Sequence, residues 1–79
     1  MMTKLKMLRM QKGLTQSQLA EKTGLNLRTL QYYEQGINKI DRARLDTLLK
    51  LAIVLDCEIR DLLEDPESTQ LCDEYVCSI

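Results

Sequence analysis

Apolar residues recur at helical spacing along most of the chain, and no stretch shows the strict alternation of a half-buried strand. Leu5 and Leu8 share one face and Gly13 follows as a stop, which predicts a first helix over about residues 3–12. Thr15 with Gln18 three residues on has the form of a capping box ahead of Leu19 and Ala20, and Gly24 closes this second helix. Only Leu25 separates that glycine from Asn26, a good N-cap for a third helix over 27–35 that stops at Gly36. Leu30 and Tyr33 form its inward stripe, so Leu27, Arg28, Gln31 and Tyr32 are left facing outward.

Residues 37–44 lack clean periodicity and read as a loop. Leu45, Leu48, Leu49, Ala52 and Leu55 then predict a strong fourth helix, broken around Asp56 and Cys57, and Ile59, Leu62 and Leu63 a short fifth. Asp65-Pro66-Glu67 is a start signal for a further helix, with aspartate as N-cap, proline at the first helical position and an acid in the first turn. Along it Leu71, Cys72, Tyr75, Val76 and Ile79 would share one side. Cys77 would point elsewhere, which argues against a Cys72–Cys77 disulfide within one helix. The expectation is an all-α fold: a five-helix domain over residues 1–64 with a short C-terminal helical extension over 65–79.

Length limits the rest. A chain of 79 residues makes one domain and buries only about 60% of its unfolded surface. Phe and Trp are absent, so aliphatic packing must supply the core. The longest apolar runs are far too short to span a membrane, and Lys4 and Lys6 lead into no signal-peptide core, so a soluble, cytoplasmic chain is expected. Three cysteines without any histidine do not make a usual zinc site, and reduced structural thiols are expected. Ser17 and Cys57 have no histidine to activate them, so the chain does not read as an enzyme, and no cofactor or metal is expected.

The net charge of −1 conceals an asymmetry. Up to Arg44 there are nine Lys/Arg against three Asp/Glu, a balance of +6; after it Lys50 and Arg60 stand against nine acids, a balance of −7. One basic face and one acidic face are expected.

Two short helices joined through Gly24, with a small Ala20 allowing close approach, form a helix-turn-helix whose second helix stands proud of the body. A protruding helix of this kind fits the DNA major groove, where base edges show a distinguishable donor and acceptor pattern. The sequence here resembles the lambda-repressor-like (Cro/cI, Xre-type) helix-turn-helix family from about Leu5 to Leu63. The resemblance is carried by Arg9, Thr15-Gln16, Leu19-Ala20, Gly24, Leu30, Glu34, Gly36, Leu48, Ala52 and Leu55. It implies that Gln16 touches a phosphate and that Leu27, Arg28, Thr29 and Tyr32 meet bases. The side-chain chemistry agrees independently: Arg28 has the fork that pairs with guanine, and Leu27 and the Thr29 methyl suit a thymine methyl. Tyr32 suits a phosphate or a base edge equally, and Leu27 suits packing at the helix entry as well as a base.

The resemblance further implies that Arg9 and Glu34 form a partly buried, structural ion pair. It places Asn38, Lys39, Arg42 and Arg44 of the following loop on the phosphate backbone, where each cation engaged steepens the salt dependence. Asp41 departs from the family pattern in that loop.

One such domain touches too few base pairs to be specific, and relatives bind as dimers on half-sites about 34 Å apart. The expected function is therefore a sequence-specific regulator of transcription, a repressor, acting as a homodimer on double-stranded DNA, with Leu71, Tyr75, Val76 and Ile79 as a candidate dimerisation stripe. The alternatives are a protein-interaction module that kept the scaffold and lost DNA binding, its acidic half docking an unidentified basic partner, or a DNA-binding antitoxin that also binds a toxin.

Overall fold

The Thr3 hydroxyl starts the fold by accepting the Lys6 amide at 3.3 Å, which caps α1 (Lys4–Gln11). The same hydroxyl donates to the Glu34 carbonyl at 3.0 Å, so the first cap is also a tether to the third helix. In the computed structural model, which describes backbone from residue 2 to residue 78 and side chains as far as Tyr75, all the expected helix signals up to Leu55 are used.

Thr15 and Gln18 cap each other reciprocally at 3.1 and 2.9 Å to open α2 (Gln16–Thr23). Asn26 Oδ1 accepts the Arg28 amide at 2.8 Å to open α3 (Leu27–Gln35). Gly24 and Gly36 close these two helices at φ of 73° and 79°, a left-handed conformation that costs glycine nothing. Three residues between α2 and α3, Gly24 to Asn26, therefore suffice to reverse direction, and the helices pack on each other while α4 (Leu45–Leu55) backs α2.

Leu5, Leu19, Leu30, Leu51, Leu55 and Leu62 are fully buried, one or two from each of the elements they join. Each such leucine contributes about 1.5–3 kcal/mol of burial, so the core is aliphatic throughout. Leu48 and Ala52 of α4 face this core, whereas Leu45 and Leu49 from the same apolar set are exposed.

Three expectations need correction. The loop over 37–44 contains a single 3₁₀ turn (Ile40–Arg42), because Ile40 is drawn into the core. The expected fifth helix is also only a 3₁₀ turn (Ile59–Asp61). Beyond it Leu62 and Leu63 are both buried, and the amides of Glu64 and Asp65 go to the Asp41 carboxylate instead of continuing a helical ladder.

The third correction concerns α5 (Pro66–Ser78). Its half-buried residues are Ser68, Thr69, Cys72 and Asp73, while Leu71 and Tyr75 are 58% and 67% exposed, so Cys72 parts from the stripe expected for it. The side chains of Val76 and Cys77, and all of Ile79, lie outside the described residues. The rotation of α5 follows from a two-pronged pair: Arg60 Nε donates to Asp73 Oδ1 at 2.7 Å and Nη2 to Oδ2 at 3.2 Å.

These hydrogen bonds, with the charge behind them, hold the Asp73 carboxyl below its ordinary range, and they raise Arg60. A carboxylate whose folded pKa is depressed stabilises above its unfolded pKa, and that contribution disappears as pH falls through the folded one. Acidification below the usual carboxylate range, about 3.9, is thus expected to release α5 before the core opens. Amide exchange followed against pH checks this: α5 amides should lose protection first, and Asp73→Asn should remove that pH dependence. Simultaneous loss of protection in α5 and in the core would contradict it.

Among the described residues no helix is long and apolar enough to cross a membrane.

Candidate nucleic-acid interface

Glu34 is buried with 1% of its side chain exposed, and α1, α2 and α3 converge on it. Arg9 Nε donates to Glu34 Oε2 at 2.9 Å, and Arg9 Nη1 donates to the Leu14 carbonyl at 2.7 Å. Gln16 Nε2 donates to Glu34 Oε1 at 3.3 Å, and Gln31 Nε2 donates to Gln16 Oε1 at 3.4 Å. The result is a continuous chain, Arg9 to Glu34 to Gln16 to Gln31, that crosses all three helices. Each link has its own geometry, so together they set how far α3 is rolled and tilted against α2.

The ion pair expected between Arg9 and Glu34 is present. Gln16, expected at a phosphate, is half-buried at the start of α2 with one amide hydrogen given to Glu34. An amide has two such hydrogens, and the second remains for an outside acceptor. Periodicity alone places Gln31 outward; it is half-buried because Gln16 lies against it. No local signal in the sequence pairs these two residues, which are fifteen positions apart.

On the outer face of α3, Leu27, Arg28 and Tyr32 are exposed and Thr29 is half-buried. Asn26 caps through the Arg28 backbone, which orders the first turn and leaves the guanidinium outside, with no ion pair among the described residues. The four candidate base-reading residues thus lie within two turns of one helix, which packs against α2.

Past Gly36 the amides of Ile37 and Asn38 both donate to the Tyr32 carbonyl, at 3.0 and 3.2 Å, so the chain leaves α3 by a fixed path. That path exposes Asn38, Lys39, Arg42 and Arg44. Arg44 lies 3.3 Å from Asp46 in a solvent-exposed pair, which is weak enough to leave the guanidinium available.

Asp41, the departure in this loop, has a structural use. Its carboxylate accepts the Glu64 amide at 3.2 Å and the Asp65 amide at 3.0 Å, and the Lys4 amide donates to Glu64 Oε1 nearby. An acid in the basic loop therefore ties that loop to the start of α5. Asp41→Ala is expected to cost about 1 kcal/mol, since the two amides then return to water, and to shorten the protection of α5. Thermal unfolding of the variant measures the first and amide exchange the second.

Cys57 and Cys72 are free thiols. Burial, with Asp61 and Asp56 adding to it against Lys12, pushes the Cys57 thiol up, away from the reactive thiolate.

Residues 5–62 match the helix-turn-helix family model. Among solved structures, the chain is similar to that of a SinR protein in complex with a SinI protein, with 29% identity and a TM-score of 0.68 over 94% of this chain and 76% of that one. Among curated protein sequences none is significantly similar. The family match spans the whole of the Arg9, Glu34, Gln16 and Gln31 chain and the outer face of α3, and the protein belongs to the Cro/cI-type helix-turn-helix family of DNA-binding transcription regulators.

Proposed function

We propose that the protein is a sequence-specific repressor that binds double-stranded DNA as a homodimer, with α3 in the major groove of each half-site. The observation that carries this reading is the exposed Arg28 on a helix whose attitude is held by the buried Arg9 and Glu34 pair. In the groove Arg28 pairs with a guanine edge, Leu27 and the Thr29 methyl pack on thymine methyls, and Tyr32 reaches a base edge or a phosphate. The second amide hydrogen of Gln16 meets a phosphate at the start of α2, where the helix dipole also favours an anion. Asn38, Lys39, Arg42 and Arg44 hold the backbone on the other side of α3. Repression then follows from occupancy of the operator.

Selection of bound sequences from a random duplex pool at about 0.15 M salt tests this, because non-specific binding is weak there. Enrichment of a two-fold symmetric site with half-sites about 34 Å apart is the expected result. Absence of enrichment overturns sequence-specific binding.

A second reading concerns a protein partner. The similar SinR structure is a complex with SinI. Here α5 carries Glu67, Asp73 and Glu74, no Lys or Arg, and the exposed pair Leu71 and Tyr75. Although residues 65–79 form a candidate dimerisation segment, that combination suits a basic partner better than a second copy of itself, as an antitoxin or an interaction module would require. Retention of a basic partner by the full chain, lost on Leu71→Glu, is the expected result under this reading.

A further inference from the structure

Helix α4 has a second apolar face that the core does not use. Leu45, Leu49 and Ile53 are 66%, 44% and 77% exposed, and they recur every four residues, so they form one stripe about 12 Å long. Exposed aliphatic residues scattered singly need no explanation, but three in a continuous row on one helix do. Asp46 and Lys50 lie four residues apart along one flank of this stripe, and both are exposed. Lys50 has no ion pair among the described residues, and Asp46 has only the weak exposed pair with Arg44.

We infer that this face of α4 is a two-fold self-association surface, and that its occupant is α4 of a second copy of the chain running antiparallel. The inference rests on the homodimer reading above and names the surface that makes the dimer. With the two-fold axis at Leu49, that residue meets its own copy, and Leu45 of each chain meets Ile53 of the other, so the stripe is complementary to itself. A two-fold perpendicular to the helices lays the charged flank beside its own copy with direction reversed. Lys50 of one chain then lies within about 3 Å, measured along the axis, of Asp46 of the other. The pair forms twice.

A parallel arrangement places these two flanks on opposite sides and forms neither pair. Self-association through α5 is opposed by charge, because Glu67 and Glu74 have no base on that helix to offset them and Arg60 is already engaged by Asp73. The α4 dipoles also oppose each other only in the antiparallel pairing.

A single short helix pair buries much less than the roughly 1,600 Å² of a standard interface. The free chain therefore dimerises weakly, and two adjacent half-sites, by raising the local concentration, complete the dimer on DNA.

Sedimentation equilibrium of the full chain without DNA tests the surface. Lys50→Asp alone, or Asp46→Lys alone, is expected to raise the dissociation constant about tenfold or more, because like charges then face each other twice. The double exchange Asp46→Lys with Lys50→Asp should restore it to within about threefold. Ile53→Glu should leave a monomer, and Leu71→Glu should leave the dimer intact. All these side chains are exposed, and circular dichroism of each variant confirms that the fold is retained.

A wild-type chain that stays monomeric at every concentration overturns the inference. So does a double exchange that fails to rescue, or dissociation by Leu71→Glu in place of Ile53→Glu, which moves the interface to α5. Because no DNA is present, a chain that self-associates through α4 yet selects no duplex sequence defeats the DNA-reading proposal and leaves this one standing.

Discussion

Glu34→Ala is expected to lower stability by about 3–5 kcal/mol, the usual cost of removing one partner from a buried ion pair. The reason lies with what is left behind. Arg9 has only 11% of its side chain exposed, so its guanidinium keeps the Leu14 carbonyl but loses the carboxylate that balanced its charge. Gln16 also loses the acceptor for its amide. For a domain of this size each kcal/mol moves the melting temperature by about 4–8 °C, so a fall of about 15 °C or more is expected. Replacing both partners with apolar residues, Arg9→Met with Glu34→Leu, should cost less than Glu34→Ala alone, since no uncompensated charge remains. Urea denaturation of the three chains measures the comparison. A loss of under about 1 kcal/mol for Glu34→Ala would show that the pair does not hold the helices together.

The second large effect is on binding. Arg28→Ala is expected to cost about 1–3 kcal/mol on the selected operator, and to leave affinity for random duplex nearly unchanged. The specificity ratio should fall with it, and the preference at one base pair of each half-site should relax. Lys39→Ala supplies the contrast. As a phosphate contact it should weaken every duplex alike and reduce the slope of log affinity against log salt by about one. Titrations of both variants on operator and random DNA at several salt concentrations separate the two roles. Equal losses on both duplexes for Arg28→Ala would move that residue from the base edge to the backbone.

The two predictions probe one arrangement from opposite ends. Glu34 faces inward from the same helix on which Arg28 faces outward, and the polar chain through Gln16 and Gln31 joins α3 to α2 on the side between them. A carboxylate placed in the core at the cost of desolvation makes sense where the position of a reading helix must be held closely.

Much of this arrangement can be read from neighbouring residues. Thr15 with Gln18, Asn26, Gly24 and Gly36 define α2 and α3 because capping acts over three or four positions, and the turn chemistry needs no help from the rest of the chain. Arg9 and Glu34 are harder, being 25 residues apart; the family resemblance, and no local pattern, joins them. Gln31 escapes both routes. Periodicity places it outside, and only the approach of Gln16 across the turn brings it in.

Asp41 shows the same boundary more clearly. In the sequence it is an acid among basic residues, where it weakens a phosphate-binding loop; in the fold it caps the amides of Glu64 and Asp65, more than twenty positions away. The fifth helix shrinks to a 3₁₀ turn for that reason too. The apolar set of α4 is divided likewise, since Leu48 and Leu49 look alike until packing buries one and leaves the other for a partner.

The sequence by itself determined the helices up to Leu55, their caps, the tight turn between α2 and α3 and the outward placement of Leu27, Arg28 and Tyr32, because each depends on residues within a turn or two of one another. Only the tertiary structure decided the role of Asp41, the ordering of Gln16 and Gln31, the rotation of α5 by Arg60 and Asp73, and the free stripe on α4. Those outcomes turn on which groups meet across long separations, where a buried charge or an unclaimed amide must find a partner.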